Sequence, residues 1–183
     1  SKNYSEAIFY INFYRILISL NLNEINCLLI HNFQDFKKNN RTIFKIFNNL
    51  RNLNLIKNYG VSIYYPNELE YLMKNFKNLT IQFPINFVDH RWSKLNIRKL
   101  KKSSNSILIG RSIFLRGKLL NKDGYIANKK INNLFKKKLT LIKQKLHIKS
   151  NLELCVKFVN SINYLDNLII GFENYKQIKQ IID

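Results

Sequence analysis

The sequence predicts an α/β fold assembled from parallel βα units, and it favours a (β/α) barrel over an open doubly wound sheet. Three observations lead there. Short apolar runs alternate with longer amphipathic stretches along nearly all of the 183 residues, as strands and crossover helices alternate in a parallel sheet. The strand-length runs are apolar on both faces, as in a sheet covered on both sides. The chain has only 5 glycines, at positions 60, 110, 117, 124 and 171, and they do not form the G-x-G-x-x-G turn with which an open sheet holds a nucleotide. A barrel holds phosphate at the loops after its last two strands, and SILIGRSIFLRGKLL followed by LIIGFENYKQIKQ offers that arrangement.

The elements follow in order. SEAIFYINFYRILISL starts with a capping Ser5 and an acidic Glu6 in the first turn, and its Ile8, Ile11, Ile16 and Leu20 recur at helical spacing. INCLLIH is a continuous apolar run of strand length between Asn-rich turns. RTIFKIFNNLRNL is helical by period, with Ile43, Ile46, Phe47 and Leu50 on one face. YGVSIYY reads as a short strand, and PNELEYLMKNF as a helix opened by Pro66, a residue suited to the first helical position. TIQFPIN is a strand stopped by Pro84. WSKLNIRKLKK reads as helix and SILIGRS as strand. A basic helix is expected over about residues 130–146, then a helix at LELCVKFVNSI, a strand at LDNLIIGF and a closing helix at NYKQIKQIID. This makes about five βα units in one domain over residues 1–183, with no strict repeat and no linker.

Lys and Arg number 31 against 11 Asp and Glu, a net charge of +20. Such a field attracts nucleic acid or an anionic membrane. However, the chain is also crowded with Asn and Ile, which share A/T-rich codons with Lys. Its basic residues are spread along the whole length, and only KLNIRKLKK and NLFKKKLTLIKQK are dense. Codon drift is therefore the first reading of the charge and a selected polyanion surface the second. No apolar run reaches the roughly 18 residues of a membrane span, and the first 20 residues lack the pattern of a signal peptide. Cys27 and Cys155 sit in apolar runs and read as buried, reduced thiols, which suits a cytoplasmic location.

Five segments resemble the aldo-keto reductase family in the right order and spacing. LNLNEINCLLIHN is similar to its helix end, strand and closing histidine. FNNLRNLNLIKNYGVSIYYPNELEYL is similar to its next unit, with a Gly-Val-Ser strand and a Pro-x-Glu-Leu helix. IQFPINFVDHR resembles its Gln-x-x-x-Asn strand end, ILIGRSIFLRGKLL its Arg-Ser-x-Phe-x-x-Gly-x-Leu loop, and FVNSINYLDNLIIGFENYKQI its last strand, glycine and closing helix. The resemblance implies a partial (β/α)8 barrel made of the family's C-terminal βα units. It also implies NADP- or NAD-dependent reduction of an aldehyde or ketone.

Residue by residue, the resemblance makes His31 the histidine that orients the carbonyl, a task suited to a neutral imidazole N–H. His90 and His147 match no family role. Ser62 and Gln82 match the groups that hold the nicotinamide carboxamide, and Asn86 and Arg91 follow the pattern as structural residues. Ser112, Leu115 and Gly117 match the loop over the cofactor diphosphate. Gly171, Glu173, Asn174 and Gln177 match the final phosphate and adenosine loop. Glu173 departs from the family, since an acid there repels a 2′-phosphate that a basic residue often grips; Lys176 is the candidate to compensate. The family's aspartate, tyrosine and lysine belong upstream of the first helix and have no counterpart. Lys2, in SKNYSE, is similar to the family's Ser/Thr-Lys strand end, but its spacing to the first helix leaves no clear room for the usual intervening loop; Tyr4, Tyr10 and Tyr14 are poor candidates for the proton donor.

Three functions follow. The chain is a truncated oxidoreductase of this family, inactive in isolation; or a degenerate barrel fragment without turnover; or a basic, nucleic-acid-binding structural protein. The expected partners are a small carbonyl substrate and either the missing N-terminal half or a second copy, with no membrane and no metal.

Overall fold

The structure is a computed structural model and describes residues 5–121, 128–172 and 174–182. It is α/β, with parallel strands and alternating helices, as the sequence predicts. The chain divides into two compact units, one of residues 1–83 and 95–108 and the other of residues 84–94 and 109–183.

The first unit begins with α1 (Glu6–Leu20), β1 (Ile25–Ile30), α2 (Phe33–Asn52) and β2 (Ile56–Ser62). It continues with α3 (Pro66–Asn75), most of β3 (Thr80–Pro84), α4 (Ile97–Ser104) and the start of β4 (Ile107–Arg111). β1 pairs with β2 and β2 with β3, both parallel, with Ile30 opposite Val61 and Ser62 opposite Gln82. β4 joins the other side of β3, where the Ile107 amide donates to the Leu79 carbonyl at 3.0 Å. The core is apolar and aromatic: Ile43, Ile46, Phe47 and Leu50 of α2 are wholly buried, and Tyr59 of β2 stacks on Phe47 at 4.7 Å.

Local chemistry sets the helix starts. Asn32 caps α2 by accepting from the Gln34 amide at 2.8 Å, which satisfies a donor the helix leaves unpaired. The helix therefore begins eight residues earlier than its apolar period suggests, and Asn39 interrupts it with non-helical angles. Pro66 opens α3, and Glu68 turns back to accept from the Tyr64 and Tyr65 amides at 2.8 and 3.1 Å. That explains an acid buried in the Pro-x-Glu-Leu segment.

The four turns from helix to strand share one device. Asn21, Asn54, Asn78 and Asn105 follow α1, α2, α3 and α4, with φ of 51, 57, 58 and 50°. Glycine usually fills this left-handed position, and Asn is among the few other residues that tolerate it.

Several sequence expectations are corrected here. α1 is a helix, but it buries Phe13 and Leu17, while Ile8, Ile11, Ile16 and Leu20 are exposed. Its apolar residues surround the helix, and ring packing selects the face: Phe9 meets Phe47 edge-on at 6.4 Å. The helix expected at WSKLNIRKLKK is two pieces, a 3-10 turn at His90–Lys94 and α4; Asn96 starts the second by capping the Lys99 amide.

The second unit holds the end of β3, the rest of β4, α5 (Lys129–Lys145), α6 (Asn151–Asn160), β5 (Asn167–Leu168) and α7 (Tyr175–Ile182). β4 pairs with β5 in parallel, with Gly110 opposite Leu168. The strand expected over LDNLIIGF keeps ladder pairing only at those two residues of β5. Leu139, Ile148 and Leu154 form a small core with Phe87 and Phe135 against it. Asp89 fastens the segment 84–94: it accepts from Arg91 Nε and Nη2 at 2.8 and 2.7 Å and from Trp92 Nε1 at 3.3 Å. In the same segment Asn86 Oδ1 accepts from the Val88 amide at 3.2 Å.

Candidate functional site

In the first unit, three of the expected residues stand at neighbouring strand ends. His31 directly follows β1, Ser62 ends β2, and Gln82 lies opposite Ser62 in β3. Parallel register puts His31 level with Ser62, because Ile30 is opposite Val61. The buried Ser62 hydroxyl donates to Gln82 Oε1 at 3.2 Å, and the Gln82 amide nitrogen remains a donor. His31 is exposed, and its ring centroid lies 6.4 Å from that of Tyr64. The sequence reading did not single out Tyr64; its place two residues after Ser62 in GVSIYY was the available signal.

In the second unit, the loop after β4 and the segment after β5 enclose a pocket of about 830 Å³. Ser112, Gly117, Gly171 and Gln177 line it, together with Arg111, Arg116, Phe114, Ile170 and Phe172. Leu115 belongs to the same loop, and its amide donates to the Ser112 carbonyl at 2.9 Å. Asn174 sits at the start of α7, where its Oδ1 accepts from the Gln177 amide at 3.1 Å. Glu173, and Lys2 and Tyr4 at the other end, lie outside the described residues.

The loop backbone is unusual. Ser112 has φ of 59°, and Leu115, Arg116 and Gly117 in succession have φ of 48, 54 and 78°. Consecutive left-handed residues bring amides together in a concavity that suits an anion. Among the described residues the Arg116 and Gly117 amides have no acceptor. Arg111 and Arg116 are part of the same lining, and among the described residues no Asp or Glu is. A Cβ at Gly117 or Gly171 would meet nothing within 4 Å, so both leave open space at the pocket. The sequence reading did not assign the two arginines, although they are the Arg of Arg-Ser and of Arg-Gly in the loop it singled out.

Among the described residues no cluster of His, Cys, Asp and Glu could hold a metal ion, and no helix is long and apolar enough to cross a membrane. The thiols are free. Burial pushes Cys155 up to about 12. Cys27 is half-buried rather than buried; desolvation raises its pKa, and a hydrogen bond with Thr80 partly offsets this.

The sequence profile of the Aldo/keto reductase family matches residues 3–183. No curated protein sequence matches the chain. Solved structures are similar in fold. A holo-form aldo-keto reductase from Bacillus halodurans superposes with a TM-score of 0.76 at 16% identity, over 97% of this chain and 61% of that one. A glycerol dehydrogenase from Gluconobacter oxydans gives 0.62 at 17% identity, over 97% and 63%. An aldo/keto reductase from Brucella melitensis gives 0.63 at 19% identity, over 95% and 60%. The chain thus spans about three fifths of the length of these structures.

Proposed function

The chain belongs to the aldo/keto reductase family, and we propose that it binds NADP or NAD for the reduction of an aldehyde or ketone. One observation carries this reading: the loop after β4 has three successive left-handed residues, and it brings to one pocket two arginines and the Arg116 and Gly117 amides, which have no acceptor among the described residues. A dinucleotide diphosphate needs such donors, and fork-shaped guanidiniums match its oxygens. The apolar Ile170 and Phe172 on the pocket wall suit a base or ribose face. When bound, the cofactor supplies the hydride.

In the first unit, Ser62 and Gln82 would hold the carboxamide, with the Ser62 hydroxyl fixing the Gln82 side chain. His31 would orient the carbonyl through a ring N–H. The family's aspartate, tyrosine and lysine have no counterpart among these groups. A missing general acid alone removes about 10²–10⁴-fold in rate. The proposal therefore includes that this chain alone binds dinucleotide and does not turn over carbonyls at a useful rate. Cytoplasmic location is part of the same reading.

The test is a fluorescence or calorimetric titration with NADPH and NADH, with an aldehyde-dependent NADPH oxidation assay beside it. Saturable binding of either cofactor without turnover is expected. Absence of binding to both would overturn the cofactor reading. Family-like turnover abolished by His31→Ala would overturn the inactive one.

A further inference from the structure

We infer that a second cavity, within the unit of residues 84–94 and 109–183, binds a small phosphate-bearing ligand at a site of its own. The cavity measures about 460 Å³ and lies where α5, the start of α6 and the turn at 118–121 meet. Lys118, Lys136, Lys143 and Lys149 line it, with Ser150 and Asn151 beside them and, among the described residues, no carboxylate in the lining; Glu153 outside the lining accepts from the Lys149 amide at 2.8 Å, so Lys118, Lys136 and Lys143 carry the argument.

These lysines differ from others on the chain. Lys45, Lys57, Lys74 and Lys157 each pair with a glutamate at 3.2 Å or less. Among the described residues, Lys118 and Lys136 have no acidic partner, and Lys143 Nζ donates to the neutral Asn151 Oδ1 at 2.8 Å. Lys136 and Lys143 are also half-buried. They sit seven residues apart on α5, about 10.5 Å along the axis and on one face, close enough for flexible lysine stems to reach one anion. Like charges gathered in a partly desolvated recess repel one another, and a multivalent anion reverses the sign of that interaction. Codon drift accounts for many lysines but not for the convergence of Lys118, Lys136 and Lys143 on one cavity with no acidic partner among the described residues.

The cavity also borders the larger pocket. Leu120, Asn121 and Leu152 line both. Asn151 accepts from Lys143 and donates through Nδ2 to the Leu119 carbonyl at 3.1 Å, so a lysine drawn to an anion is tied to the turn that forms the shared wall. The ligand class is a compact group with two or more negative charges, a phosphate monoester or diphosphate.

The experiment is calorimetric titration of the whole chain with inorganic pyrophosphate at physiological ionic strength. One saturable site is expected, weakened about tenfold or more in the double variant Lys136→Gln/Lys143→Gln. The control variant Lys137→Gln/Lys138→Gln removes the same charge from exposed positions outside the lining and should bind as the parent does. Lys118→Gln, at an exposed position, gives a milder version of the test if the double variant fails to fold. Equal weakening in the control would reduce the effect to the general +20 field and overturn the site, as would absence of saturable binding. Binding lost in Arg116→Gln but kept in the lysine variant would place the pyrophosphate in the larger pocket and overturn it too. An NADP titration that is unchanged in the lysine variant keeps the two sites separate; parallel loss would merge them and overturn the inference. Failure of NADP to bind at all, with pyrophosphate binding intact, would sink the proposed function and leave this site standing.

Discussion

Gly60 of β2 lies so close to Thr80 of β3 that a Cβ on it would sit 1.7 Å from the Thr80 carbonyl oxygen. No side-chain rotation relieves a clash with backbone. Gly60→Ala is therefore expected to force the two strands apart and to destabilise the fold by about 3 kcal/mol, near the upper end for an overpacked core. Gly117→Ala meets no atom within 4 Å and bears only the left-handed backbone cost of about 1–2 kcal/mol. Denaturant unfolding of the two variants should rank them in that order; equal losses would contradict the close approach.

The Asp89 clamp predicts an acid-side dependence. Hydrogen bonds from Arg91 hold the Asp89 carboxyl below its ordinary range. A depressed folded pKa means that the stabilisation is present above the unfolded value of about 3.9 and is lost as pH falls through the folded value. Arg91 is half exposed, so screening limits the effect to about 1 kcal/mol. Asp89→Asn should lower stability at pH 7 and flatten the loss between pH 5 and 3, values set by that carboxylate range. An unchanged slope in chemical unfolding across this window would show that the clamp is not formed.

Asn54 tests the turn device. It is exposed and has φ of 57°. Asn54→Ala should cost about 1 kcal/mol, and Asn54→Gly should be neutral or stabilising by up to about 1 kcal/mol. Melting temperatures that rank alanine above glycine would refute the left-handed turn.

Arg116→Gln should weaken NADPH and NADH binding by about tenfold, since it removes a charge-assisted contact to the diphosphate that both share. Glu173→Arg should instead tighten NADPH more than NADH, because only NADPH has the 2′-phosphate. Titrations of both variants with both cofactors separate these effects, and an equal response to Glu173→Arg would remove that residue from the 2′-phosphate.

Self-association is the last expectation. Among the described residues β1 pairs with β2 alone, its INCLLI run carries no charge to defend an edge, and α1 exposes Ile8, Ile11 and Ile18. Light scattering should detect oligomers that grow with salt, as the +20 charge is screened. Asn26→Lys on β1 should shift the population toward monomer. A monomer at all salt concentrations would show that these surfaces do not associate.

The alternation of strands and helices was legible because short apolar runs, such as INCLLI of β1 and ILIG of β4, stand between longer amphipathic stretches. α2 was legible only in part, because its first turns depend on the Asn32 cap rather than on apolar period. α1 was legible as a helix but not in its orientation, because a chain rich in isoleucine gives every face apolar residues. In the site, Ser112, Gly117, Gly171 and Gln177 were found through motif likeness, and all line the pocket. Arg111 and Arg116 were not, since arginine in a chain this basic carries little signal until backbone geometry gathers unpaired amides beside it.

The left-handed asparagines and the crowded glycines together indicate how far the sequence can drift. Where a turn demands only an angle, asparagine serves after the first four helices as glycine does at Gly117. Where neighbouring backbone leaves no room for a Cβ, as at Gly60 against Thr80, only glycine fits. A turn that asks only for an angle therefore admits several residues, whereas a position crowded by backbone admits one, and tolerance to substitution should be far higher at Asn54 than at Gly60.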